Sequence, residues 1–332
     1  MTTLPAPSSA DRVPPQPGGV ADPLQGRLGV LASHLVIALV ALVVIGGATR
    51  VMQAGLACPD WPLCYGQWLP GGQLNLQVFL EWFHRLDAFV VGVALLVLAT
   101  VSITFRRRLP SWLPAAALAA LLLVALQGGL GALTVTRLLA APLVTAHLAT
   151  ALALVALLSA LSQALLLPRP LPEPPGVPTP VWWRLLLLFC LGAVLLQCLL
   201  GGALASTWSA ERCLATGDGC AFLLRHRLGA RAAALVVFLL VPASWRLPSG
   251  EGWFRRQALA SAALVSIQVG LGVLTLRLAL AVPALTIAHQ AVGALLIALL
   301  AAAFGRSLVL RAPACLSPGS IANSPMPEPS HG

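Results

Sequence analysis

Apolar residues in this chain run in long unbroken stretches rather than in alternation. Eight stretches stand out, at 28–48, 79–104, 114–135, 143–167, 184–205, 226–245, 257–276 and 284–305. Each matches the roughly 20 apolar residues that a helix needs to cross a hydrocarbon core. Strands of a membrane barrel would read differently, as short segments of alternating polarity. The pattern predicts an all-α integral membrane protein with eight transmembrane helices.

Composition agrees. Of 332 residues, 58% are hydrophobic and 9% charged, which is outside the range of soluble globular domains. A net charge of +10 would point to nucleic acid in a soluble chain. Here the basic residues are all arginine and sit mainly between the spans, so they report topology and give no reason to expect a nucleic-acid partner; the expected partner is the lipid bilayer. Arg106, Arg107, Arg108, Arg169, Arg184, Arg255, Arg256, Arg306 and Arg311 fall on alternate loops, which puts those loops and both termini on the cytoplasmic side. The loops 49–78, 136–142, 206–225 and 277–283 then face outward. Residues 1–27 lack the apolar core of a signal peptide and the arginine-rich pattern of a transit segment. They are expected to form a disordered cytoplasmic tail, as are residues 311–332.

The chain also repeats itself. Gln127-Gly-Gly-Leu-Gly-Ala-Leu-Thr134 in span three matches Gln268-Val-Gly-Leu-Gly-Val-Leu-Thr275 in span seven. Gly46-Gly47 near the end of span one matches Gly201-Gly202 in span five, and Pro142 and Pro283 precede spans four and eight. With four spans per half, both halves enter the membrane from the same side. The expected architecture is two parallel four-helix bundles, 28–167 and 184–310, related by internal duplication and joined by a proline-rich cytoplasmic linker at 168–183. The small-residue faces of spans three and seven, such as Gly128, Gly129 and Gly131 with Gly270 and Gly272, would admit a neighbouring helix or a flat ligand.

Within this frame four of the six histidines pair off. His84-Arg85-Leu86 is matched by His226-Arg227-Leu228, and His147 and His289 each follow their partner by 63 residues (147 − 84 and 289 − 226). All four fall near the start of even-numbered spans, at one depth near the outer surface. Neutral imidazole is a common metal ligand and an axial ligand of haem iron, so two matched pairs point to two bis-histidine haem sites. A single such histidine could equally be a hydrogen-bonded interfacial residue; four at matched positions argue otherwise. His34 has no counterpart in span five and is expected to face the bundle in a structural role.

The surroundings of the pairs differ. Arg85 and Arg227 could pair with haem propionates at the polar boundary, or could simply snorkel, as could Arg225 and Arg231. Glu81 lies one turn before His84, whereas the matching position holds Leu223. Either Glu81 is an exposed interfacial residue, or it is a buried acid with a task such as proton transfer or cation stabilisation. Any chemistry would then belong to the first half. Cys58 and Cys64 in the first outward loop, and Cys213 and Cys220 in the third, face an oxidising compartment and are expected to form two disulfides. Neither spacing is that of a thioredoxin-like motif. Cys190, Cys198 and Cys315 read as core or tail residues.

These residues together resemble the haem A synthase family, in its form with a cysteine pair in the first outward loop. The resemblance spans the eight-helix region. It rests on Gly46-Gly47-Ala-Thr-Arg50, on Gly55-Leu-Ala-Cys58-Pro-Asp-Trp-Pro-Leu-Cys64, on Glu81-Trp-Phe-His84-Arg85, and on Ala146-His147, His226-Arg227 and Ala288-His289. It implies an oxidoreductase of a bacterial inner membrane that converts the C8 methyl of haem O to a formyl group, by two hydroxylations with water-derived oxygen. On that reading His84 and His147 bracket the substrate haem O, His226 and His289 ligate a resident haem b, and Glu81 is the catalytic glutamate. Cys58 and Cys64 would be tied to activity or electron delivery, and Cys213 and Cys220 to structure. Haem O synthase and a membrane electron acceptor would be the protein partners. Two other classes compete. A di-haem b-type electron-transfer cytochrome explains the histidines but not Glu81. A transporter of parallel repeats would need charges deeper in the membrane.

Overall fold

The structure is a computed structural model and describes residues 22–167, 179–247 and 252–310. Eight helices among them are long and apolar enough to cross a membrane. They are α1 (Pro23–Val51), α2 (Leu76–Thr104), α3 (Leu113–Thr136), α4 (Ala141–Leu166), α5 (Val181–Ser206), α7 (Cys220–Ser244), α8 (Gly252–Arg277) and α9 (Pro283–Val309). Between α5 and α7 lies the short α6 (Ser209–Thr216), which hydrophobicity alone could not reveal because its sequence is largely polar.

Local signals explain the boundaries. The Asp22 carboxylate caps α1 by accepting from the Leu24 amide at 2.9 Å, and Asn75 caps α2 by accepting from Val78 at 2.9 Å. Proline in the first turn of α1, α3, α4 and α9 starts each helix where its missing N–H costs nothing. The Asp22-Pro23 start corrects the expected tail 1–27: residues 23–27 are helical, and buried Gln25 donates to the Leu165 carbonyl at 3.1 Å. The proline-rich linker is likewise shorter than 168–183, because α5 already begins at Val181 after Pro180; positions 168–178 lie outside the described residues, as do 1–21 and 311–332. His34 corrects a further expectation. It is exposed on α1, away from the bundle, with its Nδ1 donating to the Val30 carbonyl 2.8 Å away.

The first four long helices close into a ring in chain order: α1 packs on α2, α2 on α3, α3 on α4, and α4 back on α1. The last four close in the same order, α5 on α7, α7 on α8, α8 on α9, and α9 on α5. The rings meet through α4 against α9, flanked by α1 against α9 and α4 against α5. Helix α9 is therefore the most buried span, while α3 and α8 lie on the periphery.

Small residues allow the rings to approach. A Cβ at Gly305 of α9 would fall within the backbone of Ala160 on α4, which cannot swing aside. Gly305→Val is therefore expected to destabilise the protein by about 1–3 kcal/mol, the usual cost of overpacking. Thermal unfolding in detergent checks this, and an unchanged midpoint would contradict the packing described.

The turns that launch α4 and α9 also match. Leu138 and Leu139 after α3 have φ of 49° and 59°, and Ala279 and Leu280 after α8 have φ of 50° and 63°. Non-glycine residues rarely occupy this left-handed region. Both turns are held by the same bonds, Leu139 N–H to Thr134 O at 2.8 Å and Leu280 N–H to Thr275 O at 2.9 Å. Each turn sets the height at which the following helix presents its histidine.

Candidate functional site

Each of the four histidines sits within the first two turns or so of its helix: His84 on α2, His147 on α4, His226 on α7 and His289 on α9. In each ring the two histidine-bearing helices are diagonal partners. Each imidazole lies against a glycine of the preceding long helix. A Cβ added at Gly46 would stand 3.2 Å from His84 Cε1, at Gly131 3.3 Å from His147 Cε1, at Gly201 3.0 Å from His226 Cε1, and at Gly272 3.0 Å from His289 Cε1. The absent side chain is what lets the Cε1 edge of each imidazole come this close to its neighbour. Glycines that read in sequence as a small-residue face are thus the seats of the four rings.

The donor set suits an iron already held by a macrocycle. Among the described residues no group of three or more His, Cys, Asp or Glu gathers, as a bare zinc site would require. Two imidazoles facing each other are the complement that haem iron needs. The centroids of the His226 and His289 rings are 6.4 Å apart. Two metal–imidazole bonds of about 2 Å each, with the half-widths of two five-membered rings, sum to roughly that spacing. His289 Nδ1 donates to the Gln268 carbonyl at 3.1 Å, which puts the ring's lone pair on Nε2, where the Gln268 side-chain amide lies 3.4 Å away.

The first pair is surrounded by chemistry that the second lacks. Glu81 is buried, at 4% exposure, and both of its oxygens are engaged. Oε2 accepts from the Cys58 amide at 2.8 Å, and Oε1 accepts from Arg85 Nη2 at 2.5 Å in an ion pair. The exposed interfacial alternative for Glu81 is excluded by this burial. Arg85 also donates from Nη1 to the carbonyls of Asp60 and Leu63, both at 2.6 Å. Three of its five N–H donors therefore bind Glu81 and the loop, with Nε and one Nη2 hydrogen left for another acceptor.

The loop so held is the one closed by the Cys58–Cys64 disulfide, whose Cα atoms are 4.8 Å apart and whose sulfurs are buried with Val78. Asp60 stiffens it by accepting from Tyr65 N–H at 2.7 Å and Gly66 N–H at 2.8 Å. These amides, with Arg85 nearby, hold the Asp60 carboxyl below the usual carboxylate range.

In the second half Leu223 takes the place of Glu81 and is buried against Leu204 and Ala210. The Cys213–Cys220 disulfide, Cα atoms 4.9 Å apart, ties α6 to the start of α7. Arg227, unlike Arg85, is exposed, as are Arg225 and Arg231. Arg50, at the end of α1, bridges the two halves. It donates to the Ala205 carbonyl, lies 4.6 Å over the Trp208 ring and pairs with Glu211 at 3.9 Å.

A family model described as cytochrome oxidase assembly protein, COX15-CtaA, matches residues 29–301. The chain belongs to the COX15-CtaA family. Both histidine pairs, Glu81 and the four cysteines of the disulfides fall inside the matched region. A heme A synthase of Caulobacter vibrioides is 31% identical over 78% of this chain and 89% of its own length. Two further matches are partial. A heme A synthase of Shewanella oneidensis is 34% identical over 35% of this chain, and the alignment covers 39% of its length. A protoheme IX farnesyltransferase of Halobacterium salinarum is 35% identical over 32% of this chain, covering 23% of its length.

For this COX15-CtaA chain, sequence reasoning singled out the histidines, Glu81 and the cysteines, and passed over three features of the structure. It left Arg50 without a role. It did not see that Gly46, Gly131, Gly201 and Gly272 each carry a ring. It passed over Gln197 of α5, whose Nε2 lies 2.9 Å from His226 Nδ1 and donates to the His226 carbonyl at 2.9 Å. A polar side chain inside a span is the signal that could have found it.

Proposed function

We propose that the protein is a haem A synthase with two unequal haem sites. In the first ring His84 and His147 bind haem O as substrate, and in the second His226 and His289 hold a resident haem b. The matching order of the rings, the matching turns and the matching glycine–histidine seats support reading the halves as an internal duplication with the two bundles parallel. The arginine distribution favours cytoplasmic termini, and the likeness to bacterial heme A synthases favours a bacterial inner membrane. The disulfide-bearing end then faces outward.

The observation that carries the assignment of roles is the buried Glu81, which has only Leu223 opposite it. Conversion of the C8 methyl to a formyl group adds one water oxygen and releases four electrons and four protons. The electrons pass to a membrane electron acceptor. A resident haem b would supply one-electron redox chemistry in the second ring. Glu81, one turn from His84 on α2, is the residue suited to stabilise positive charge as the methyl is oxidised, and to take up a proton. Arg85 and the Cys58 amide fix the direction of its carboxylate. Cys58 and Cys64 shape the loop that provides that amide, which ties the cysteine pair to Glu81 whether or not it cycles its redox state. Arg85 has donors to spare for a haem propionate, and exposed Arg227 could reach one at the second site. Haem O synthase is the partner class that must deliver the substrate.

The test is direct. Protein purified from cells that make haem O is extracted, and its haem is identified by mass. Haem A or its hydroxylated intermediate, together with haem b, is expected. Haem b alone would make the protein a di-haem b-type cytochrome, and absence of haem would favour a transporter.

A further inference from the structure

The two histidine pairs differ in how their outer nitrogens are held. In the second ring both rings are tethered: His226 Nδ1 lies 2.9 Å from the Gln197 amide, and His289 Nδ1 donates to the Gln268 carbonyl at 3.1 Å. In the first ring the buried Nδ1 of His84 has no hydrogen-bond partner among the described residues, and that of His147 faces the Gln127 backbone without closing a hydrogen bond.

One sequence difference accounts for the contrast between His84 and His226, and a second changes the glutamine beside the other histidine of each pair. Gln197 stands one turn before Gly201, the seat of His226; one turn before Gly46, the seat of His84, stands Leu42, which is buried and apolar. In the first ring the Thr150 hydroxyl donates to Gln127 Oε1 and fixes that amide. Position 292, which matches 150 by the offset of the histidines (289 − 147 = 142), is Val292, which has no hydroxyl. The Gln268 amide nitrogen instead turns to within 3.4 Å of His289 Nε2.

We propose that Gln197 is a positioning residue for His226 that makes the second site a retentive one, and that Leu42 leaves the first pair free to exchange its haem. The proposal rests on the two-site reading above. A ring that ligates through Nε2 must donate from Nδ1 to be fixed in orientation and raised in basicity. Gln197 can meet that need, because a half-turn of its amide presents Oε1, which is buried and has no partner, to Nδ1 in exchange for the bond that Nε2 now gives the His226 carbonyl. Leu42 cannot. A resident cofactor needs a slow off-rate, whereas a substrate that leaves as product needs a fast one. The placement of the glutamine follows that requirement.

The experiment uses full-length, haem-loaded protein in detergent. Transfer of haem to excess apomyoglobin is followed by absorbance, and the low-spin bis-histidine signal is followed by electron paramagnetic resonance. Gln197→Leu is expected to speed loss of haem b about 10–100-fold, the usual weight of an outer-shell partner. It should also alter the low-spin signal. Leu42→Gln is expected to slow haem loss from the first site. Gln197→Glu, which restores an acceptor, should recover slow release. A Gln197→Leu protein that melts like wild type and yet keeps its haem and signal unchanged would overturn the proposal. If Gln197→Leu does not fold, unchanged release from Leu42→Gln overturns it instead. A His226→Ala protein with its full haem b complement would sink the two-site reading itself, which separates that failure from this one.

Discussion

Haem A formation by Glu81→Gln protein is expected to fall by about 10²–10⁴-fold, the range that a positioned acid or base contributes. Glutamine is the informative substitution. Glu81 is buried in an ion pair with Arg85, and removing one partner of such a pair leaves an uncompensated charge worth about 3–5 kcal/mol. Glu81→Ala would therefore mix lost chemistry with lost structure. Glutamine keeps the volume and an oxygen that can still accept from the Cys58 amide, so it disturbs the loop less than alanine does, although its NH2 then faces Arg85 and that charge loses its partner. The check is the ratio of haem A plus hydroxylated intermediate to haem O in the extract, beside a melting curve. A Gln variant that still makes haem A at the wild-type rate would remove Glu81 from the reaction.

The second large effect concerns the glycine seats. Gly201→Val is expected to cut haem b occupancy at least tenfold. A Cβ there already stands 3.0 Å from the His226 ring, and the two further methyl groups of valine would force the imidazole off its neighbour. The internal control is Gly270→Val. A Cβ at Gly270 meets nothing within 4 Å, although it lies two residues from Gly272 on the same helix. Haem content per protein, read from the pyridine haemochrome, should drop for the first variant and hold for the second. Equal behaviour of the two would mean that the close contacts at the rings do not govern binding.

The fold was largely legible because the bilayer imposes it. Runs of apolar residues long enough to cross a membrane must be helices, since no water is there to satisfy an open backbone. All eight spans appear, most of them extended by two to six residues at one or both ends. Those extensions start after polar caps such as Asp22 and Asn75 and carry polar anchors such as Gln25, which hydrophobicity does not register.

Spacing brought out the histidine pairs because the same interval separates the two members of each. The glycine seats were visible only as small residues, since which of several glycines touches a ring depends on helix rotation. Gly131 and Gly272 do; Gly128, Gly129 and Gly270 do not. The clamp on Glu81 was not legible at all. It joins residues 58, 60, 63, 81 and 85 across a loop whose path no periodicity describes.

The most direct measurement asks which haem each pair holds. Two double variants, His84→Ala with His147→Ala and His226→Ala with His289→Ala, are purified from cells that make haem O, and the extracted haems are identified by mass. The first should retain haem b and lose haem O, haem A and the hydroxylated intermediate; the second should lose haem b. Haem O or haem A persisting in the first variant, or haem b persisting in the second, would contradict a division of labour between the two rings.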